Sequence, residues 1–177
     1  MARIQIIVPV YNEAGVLSGN LARILEAAGA LTDRHSVSLL LVDDGSTDGS
    51  AAEIAMFCRA HPAARALVFT RNFGKEAAIQ AGLDHADADA VILMDSDLQH
   101  PPELIPHLVR LWEGGAQVVE AVKTDRGRES LPGRLFSALF YFLFRHLAGL
   151  DLHGHSDYKL LDRVVVEQYR RLRESGR

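Results

Sequence analysis

Four short apolar segments, each followed directly by polar or charged residues, constrain the fold of this chain more than any other feature. Their bounds are 4–10, 37–42, 66–69 and 90–94. Short, almost continuously apolar runs are typical of strands that are buried on both faces of a sheet. The sequence therefore predicts at least four strands of this kind.

Helical patterns separate these segments. Apolar residues recur at helical spacing over 17–28, around 54–58 and over about 75–85. Because strands alternate with helices along the chain, we expect right-handed crossovers between neighbouring strands. The predicted fold class is therefore α/β, with a mainly parallel sheet flanked by helices.

The second half of the chain continues the pattern at first. Pro101 or Pro102 predicts the start of a helix that runs to residue 113, and a fifth strand is predicted over 117–122. Residues 156–163 are interpreted as a short strand or a turn, and 164–172 as an amphipathic helix.

Composition narrows the class of protein. A chain of 177 residues can form one domain with a substantial core, so we predict a single domain over 1–177. The net charge of −4 argues against a nucleic-acid-binding protein, which needs a basic surface.

The single cysteine, Cys58, cannot form an internal disulfide and is predicted to be a small core residue in a reducing compartment. The sequence shows neither a signal-peptide pattern nor an apolar run long enough to cross a bilayer.

Polar side chains follow each of the four predicted strands. In open parallel sheets, ligands bind outside the carboxyl ends of the strands. We therefore predict a nucleotide-binding crevice at this edge, lined by the polar residues that follow the strands: Tyr11, Glu13, Asp43, Asp44, Arg71, Asp95 and Asp97.

Asp95 and Asp97 are the candidate metal ligands. In extended backbone, side chains two residues apart point to the same side of the strand. Two carboxylates on one side suit a Mg2+ or Mn2+ ion that shares itself with substrate phosphates. The alternative is that both residues only stabilise a turn, as aspartate often does.

A basic segment and a phenylalanine-rich segment occupy residues 125–150. Arg126, Arg128 and Arg134 come first, and the apolar run 135–144 follows. The run is too short to cross a bilayer but is compatible with a helix lying in the membrane surface, with arginines reaching anionic headgroups. The alternatives are a helix buried against the sheet or in a homo-oligomer contact, and a solvated basic loop.

Five blocks of sequence resemble family 2 glycosyltransferases, in particular the branch similar to dolichol-phosphate mannosyltransferase and the undecaprenyl-phosphate glucosyltransferases. The blocks lie in the same order as in that family, and the resemblance covers nearly all of 3–172. They are VPVYNE at 8–13, VDDGSTD at 42–48, RNFGKEAA at 71–78, MDSDLQHPPE at 94–103 and DYKLLDR at 157–163.

The resemblance implies a glycosyltransferase A-type fold and an inverting, metal-dependent transfer of sugar from a UDP- or GDP-linked donor. It also implies roles for individual residues. The nucleoside would be held by Pro9, Tyr11, Glu13 and Asp43, with help from Arg71. The metal and the diphosphate would be held by Asp95 and Asp97, with Gln99 close by.

The acceptor implied by the resemblance is a polyprenyl phosphate at the cytoplasmic face of the membrane. Arg126, Arg128, Arg134 and Lys159 are the candidate ligands of its phosphate, and Asp157 would orient it. Relatives usually have Asp-Phe-Arg where this chain has Asp157-Tyr158-Lys159, which replaces a bidentate guanidinium by a point charge. Two alternatives remain open: a hydroxyl acceptor, for which Asp157 would act as base, and a nucleotide-sugar binding module without catalysis.

Relatives continue beyond the last block with more catalytic-domain chain and usually with transmembrane helices. We therefore expect the chain to be truncated at its carboxyl end, with a full-length form peripheral to, or anchored at, the inner face of the membrane.

Overall fold

A computed structural model describes residues 1–121 and 158–174, with side chains up to residue 171. Its helices and strands, in chain order, are β1 Ala2–Val10, α1 Leu17–Gly29, β2 His35–Asp43, α2 Ser50–Ala60, β3 Ala64–Val68, α3 Lys75–His85, β4 Ala90–Leu93, a 3-10 turn Pro102–Leu104, α4 Ile105–Glu113, β5 Val118–Glu120, β6 Lys159–Asp162 and α5 Arg163–Glu174. The predicted alternation of strands and helices is confirmed.

The described strands form one six-stranded sheet in the order β3-β2-β1-β4-β6-β5. The pairs β1–β2, β1–β4 and β2–β3 are parallel. β6 runs antiparallel between β4 and β5. The mainly parallel α/β sheet is therefore confirmed, and the polar residues that follow β1, β2 and β4 lie at one edge of it.

Both faces of β1 are buried, because helices cover the sheet on each side. Ile4, Ile6 and Val8 pack in one core cluster with residues of α1, α2 and α4. Ile7 packs in a second cluster with residues of α3 and α5. Burial on both sides is the physical reason for the unbroken apolar run in the sequence.

The segment interpreted as a short strand or a turn is strand β6. The Trp112 indole Nε1 donates a hydrogen bond to Asp162 Oδ2 at 2.7 Å, which joins α4 to the end of this strand. The Arg170 guanidinium on α5 donates to the carbonyls of Leu83 and Ala86 at the end of α3. These contacts fix the last described elements against the rest of the fold.

Several predicted bounds shift by a few residues. β3 begins and ends earlier than predicted, and the helix expected over 102–113 is a 3-10 turn followed by α4.

Cys58 is half-buried at the edge of the first core cluster, and burial raises the pKa of its thiol. Among residues 1–121 and 158–174, no helix is long and apolar enough to cross a membrane.

Candidate functional site

A cleft of about 230 Å³ lies where β1, β2 and β4 end, next to the first turn of α3. Six of the predicted site residues line it: Pro9, Tyr11, Glu13, Asp44, Asp95 and Asp97. The structure therefore brings these six residues to one cleft, although they come from three separate parts of the sequence.

Three other predicted site residues, Asp43, Arg71 and Lys159, do not line this cleft. Asp43 is 1% exposed; its Oδ1 accepts a hydrogen bond from the Ser46 amide at 3.1 Å. Its other oxygen, Oδ2, is buried and has no hydrogen-bond partner among the described residues. The Arg71 guanidinium stacks on the Phe73 ring, 4.3 Å from the ring centroid. Lys159 is 8% exposed, in β6.

The predicted acceptor residues Arg126, Arg128, Arg134 and Asp157, and the phenylalanine-rich segment, lie outside the described residues. Their roles stay predictions.

The loop after β1 is held by four consecutive backbone amides. The amides of Asn12 and Glu13 donate to the hydroxyls of Ser46 and Ser50, at 3.0 and 2.8 Å. The next two amides donate to carboxylates: Ala14 to Asp48 at 2.9 Å and Gly15 to Glu53. These bonds lower the pKa of both carboxyls, because the backbone donors favour the ionised form.

Asp44 holds a second loop, the one that leads into α3. Its Oδ1 accepts the Phe73 amide at 2.7 Å and its Oδ2 accepts the Gly74 amide at 2.9 Å. The neighbouring Gly45 has φ of 69°, and a Cβ placed there would overlap the carbonyl carbon of Arg71. Asp44 lines the cleft but is only 2% exposed and binds backbone amides with both oxygens, so its geometry favours a positioning role over direct contact with a nucleotide.

Asp95 follows β4 and forms an ion pair. Lys75, the first residue of α3, places its Nζ 2.7 Å from Asp95 Oδ1 and 2.9 Å from Oδ2. The side chains of Lys75 and Asp95 are 41% and 24% exposed, so solvent reaches both partners.

Asp97 reaches the cleft through a turn. The expectation of extended backbone from Asp95 to Asp97 was wrong, because β4 ends at Leu93 and Ser96-Asp97 form a turn. Leu98 then takes a positive φ of 55°. Asp97 Oδ1 accepts the Gln99 amide at 3.0 Å and Oδ2 accepts Gln99 Nε2 at 2.8 Å. Gln99 therefore lies beside the Asp97 carboxylate and orients it, and its expected place next to a metal stays a prediction.

Glu13 and Ser96 join the two sides of the cleft. The Ser96 hydroxyl lies 3.1 Å from the Pro9 carbonyl oxygen and also contacts Glu13 Oε1. The Ser96 hydroxyl therefore links the end of β1 to the Glu13 side chain. Burial raises the pKa of Glu13, and the nearby charges of Asp97 and Asp95 raise it further, against the bond from Ser96.

The carboxylates fit a divalent cation that is completed by a ligand. Within residues 1–121 and 158–174, no three His, Cys, Asp or Glu side chains converge as a closed metal site. Mg2+ and Mn2+ are, however, commonly held by one or two carboxylates together with substrate phosphates. Asp95 and Asp97 supply that donor set beside an open cleft.

Sequence reasoning did not single out Lys75, Asn72 or Ser96, all of which line the cleft. Lys75 and Asn72 stand inside a block that the resemblance covers, and Ser96 lies between the two predicted metal ligands. Position within these blocks was the available signal, but only the fold shows which of their side chains face the cleft.

Comparison with known proteins gives a consistent result. The sequence model of the family described as "Glycosyl transferase family 2" matches residues 5–170. The chain is 36% identical over 172 residues to the uncharacterized glycosyltransferase YkcC of Bacillus subtilis, covering 97% of this chain and 53% of that protein. It is also 36% identical over 173 residues to the bactoprenol glucosyl transferase of Shigella phage SfV, covering 97% of this chain and 56% of that protein. The chain thus spans about half the length of these curated relatives.

A solved structure shows the same fold. The mannosyltransferase PcManGT from Pyrobaculum calidifontis, in complex with GDP-Man and Mn2+, aligns with a TM-score of 0.67 at 24% identity. The alignment covers 95% of this chain and 46% of that one.

Proposed function

This chain belongs to glycosyl transferase family 2, and on that premise we propose that it transfers a sugar from a UDP- or GDP-linked donor to a polyprenyl phosphate, with Mg2+ or Mn2+ as cofactor. One observation carries the proposal: Asp95 and Asp97 lie in the same cleft as Tyr11 and Glu13, at the carboxyl edge of a parallel sheet. A donor bound along this cleft would have its nucleoside on the β1 side and its diphosphate beside the two carboxylates.

The choice of acceptor has separate support. The relative from Shigella phage SfV has a polyprenol, bactoprenol, in its name, and the two chains align over nearly all of this one. A phosphate monoester has a second pKa of about 6, so a polyprenyl phosphate is already largely ionised at neutral pH. It then needs orientation more than deprotonation.

The chemistry required of the chain is mainly electrostatic. The departing nucleoside diphosphate gains negative charge, and a divalent cation held by Asp95 and Asp97 would stabilise that charge as a Lewis acid. Asp97 is kept in one orientation by its two bonds from Gln99. The amide network of residues 12–15 keeps the β1 loop in place, so little reorganisation is needed when the nucleoside binds.

The direct test is a transfer assay. Purified protein is incubated with Mn2+ or Mg2+, an undecaprenyl phosphate in detergent and a panel of UDP- and GDP-sugars, and the lipid is analysed by mass spectrometry. We expect one donor to give a glycosylated lipid, and Asp97→Asn to reduce the rate by roughly 100-fold or more. The proposal fails if no donor yields product while the protein binds neither UDP nor GDP in the presence of Mn2+.

The acceptor is tested with Asp157→Asn. An ionised phosphate acceptor has no proton to lose, so this variant should retain much of its lipid transfer. If the acceptor is instead a sugar or protein hydroxyl, the same variant should lose nearly all transfer, because a hydroxyl needs a base. Wild-type transfer to free glycans but not to lipid phosphate would contradict the polyprenyl assignment.

A further inference from the structure

Lys75 stands at the centre of the charges around the cleft. Four carboxylates line it, namely Glu13, Asp44, Asp95 and Asp97, and among the described lining residues Lys75 is the only cationic side chain. Its ammonium lies within 2.9 Å of Asp95 Oδ2. A lysine in direct contact with a candidate metal ligand changes the electrostatic potential that a metal ion or a phosphate meets in the cleft.

The backbone of Lys75 is fixed, whereas its side chain is accessible. Asp44 holds the amides of Phe73 and Gly74 immediately before Lys75, which sets where α3 begins. The Lys75 side chain is 41% exposed, and a four-carbon stem allows its ammonium to reach a range of positions. The ammonium can therefore leave Asp95 for a neighbouring anion without any change in the fold.

The Lys75 ammonium should bind a diphosphate more strongly than it binds Asp95. A solvent-accessible ion pair between single charges is worth little, because water and salt screen it. A diphosphate offers the ammonium several charged oxygens and charge-assisted hydrogen bonds, which are stronger. With a divalent cation bound, Asp95 also has less uncompensated charge with which to retain the ammonium.

We propose that Lys75 is a binding residue for the donor diphosphate, held beside Asp95 until the metal and nucleotide arrive. The inference rests on the proposed function, since it requires a diphosphate in this cleft. It makes Lys75 a competitor of the metal in the absence of nucleotide and a partner of the nucleotide once the metal is bound.

These two roles predict effects of opposite sign for Lys75→Met. Without nucleotide, Mn2+ should bind about 5-fold more tightly, because the competing ammonium is gone. With saturating Mn2+, UDP or GDP should bind roughly 10-fold more weakly, because a charge-assisted contact is absent. Both affinities are measured by isothermal titration calorimetry, with Mn2+ alone as the first titrant and UDP and GDP as the second.

Two variants control the measurement. Lys75→Arg keeps the charge and should restore nucleotide binding to within about 3-fold of wild type. Arg65→Met removes one positive charge from the exposed edge strand β3, outside the lining of the cleft, and should change neither affinity. Unfolding curves of all variants check that the fold is retained.

The outcomes separate the two proposals. If wild-type protein binds UDP or GDP with Mn2+ but Lys75→Met changes both affinities in the same direction, or changes neither, the role of Lys75 is wrong and the proposed function stands. If wild-type protein binds neither nucleotide with Mn2+, both proposals are overturned.

Discussion

The two sides of the cleft are built in different ways. On the β1 side, where we propose that the nucleoside binds and which is called the nucleoside side below, contacts between residues far apart in sequence tie the loops after β1, β2 and β3 to one another. Examples are Glu13 with Ser50 and Asp44 with Gly74. On the carboxylate side, Asp97 accepts two hydrogen bonds from Gln99, its near neighbour in sequence, and Asp95 is balanced by an accessible lysine.

The nucleoside side is therefore a pre-organised binding surface, and the carboxylate side is a charged one. Rigid loops bind a ligand without a large loss of conformational entropy. The carboxylate side instead retains unbalanced negative charge close to Glu13. Burial raises the pKa of Glu13, and this charge raises it further. The nucleoside side should therefore be sensitive to changes in shape, and the carboxylate side to changes in charge.

The largest effect is expected where the nucleoside-side loops touch. Gly45→Ala would drive a Cβ into the Arg71 backbone and should destabilise the protein by on the order of 4 kcal/mol. Gly15→Ala is the matched control, because Gly15 also has a positive φ, 89°, but has open space around it. It should cost only about 1 kcal/mol. Urea unfolding of both variants tests the comparison, and equal losses would show that the loops are not locked together.

On the carboxylate side, charge should matter and shape should not. Asp97→Asn should weaken Mn2+ binding by roughly 100-fold, since a charged ligand becomes neutral. Its free energy of unfolding should stay within about 0.5 kcal/mol of wild type, because the hydrogen bonds that it weakens join near neighbours at an exposed turn. Calorimetry and urea unfolding measure the two quantities. A large loss of stability with unchanged Mn2+ affinity would reverse the assignment.

Asp44→Asn tests the tie between two nucleoside-side loops. An amide has one acceptor oxygen, so one of the Phe73 and Gly74 amides would lose its partner at a site that is 2% exposed. We expect a loss of about 2 kcal/mol in the free energy of unfolding. Asp48 accepts a similar pair of backbone amides at an exposed site, so Asp48→Asn should cost less, because water can replace the lost bond. The reverse order would argue against the locked-loop description.

The smallest effect is expected at Glu13, where the two sides meet. Its Oε2 is buried without a hydrogen-bond partner among the described residues. Glu13→Gln should therefore stabilise the metal-free protein by on the order of 1 kcal/mol at neutral pH.

The stabilisation by Glu13→Gln should depend on pH, because it comes from the raised pKa of Glu13 in the folded protein. The pKa of Glu13 is raised above 4.5 in the folded protein, so the folded state binds more protons than the unfolded state between 4.5 and the raised value. Wild-type stability due to Glu13 is complete below 4.5 and is lost as the pH rises through the folded pKa. The advantage of Glu13→Gln should shrink as the pH falls toward 4.5, as measured by thermal unfolding. An advantage that is independent of pH would exclude a raised pKa.

Much of this fold was predictable because its signals are local. The buried strand β1 shows as an apolar run, and α3 was predicted with the bounds that it has, Lys75–His85. The position of β6 was not predictable from local pattern. Four residues that were interpreted as a strand or a turn pair with Leu93 and its neighbours on one side and with β5 on the other. The choice of those partners depends on which edge of the sheet is left open.

The candidate site also contains some features that were predictable from local sequence and others that were not. The carboxylates after β4 were predicted because acidic side chains at the end of a buried strand are visible in the sequence itself. The ion pair of Lys75 with Asp95 was not, because its partners are twenty residues apart and belong to different elements.

By itself the sequence determined the α/β class, the mainly parallel sheet and the edge at which polar groups collect, because apolar periodicity and strand ends are properties of neighbouring residues. Only the tertiary structure decided that Asp44 would accept hydrogen bonds from backbone amides, that Asp97 would reach the cleft through a turn, and that Lys75 would be the cation beside Asp95. Those outcomes depend on hydrogen bonds and charges between distant parts of the chain, which come together only when the sheet has formed.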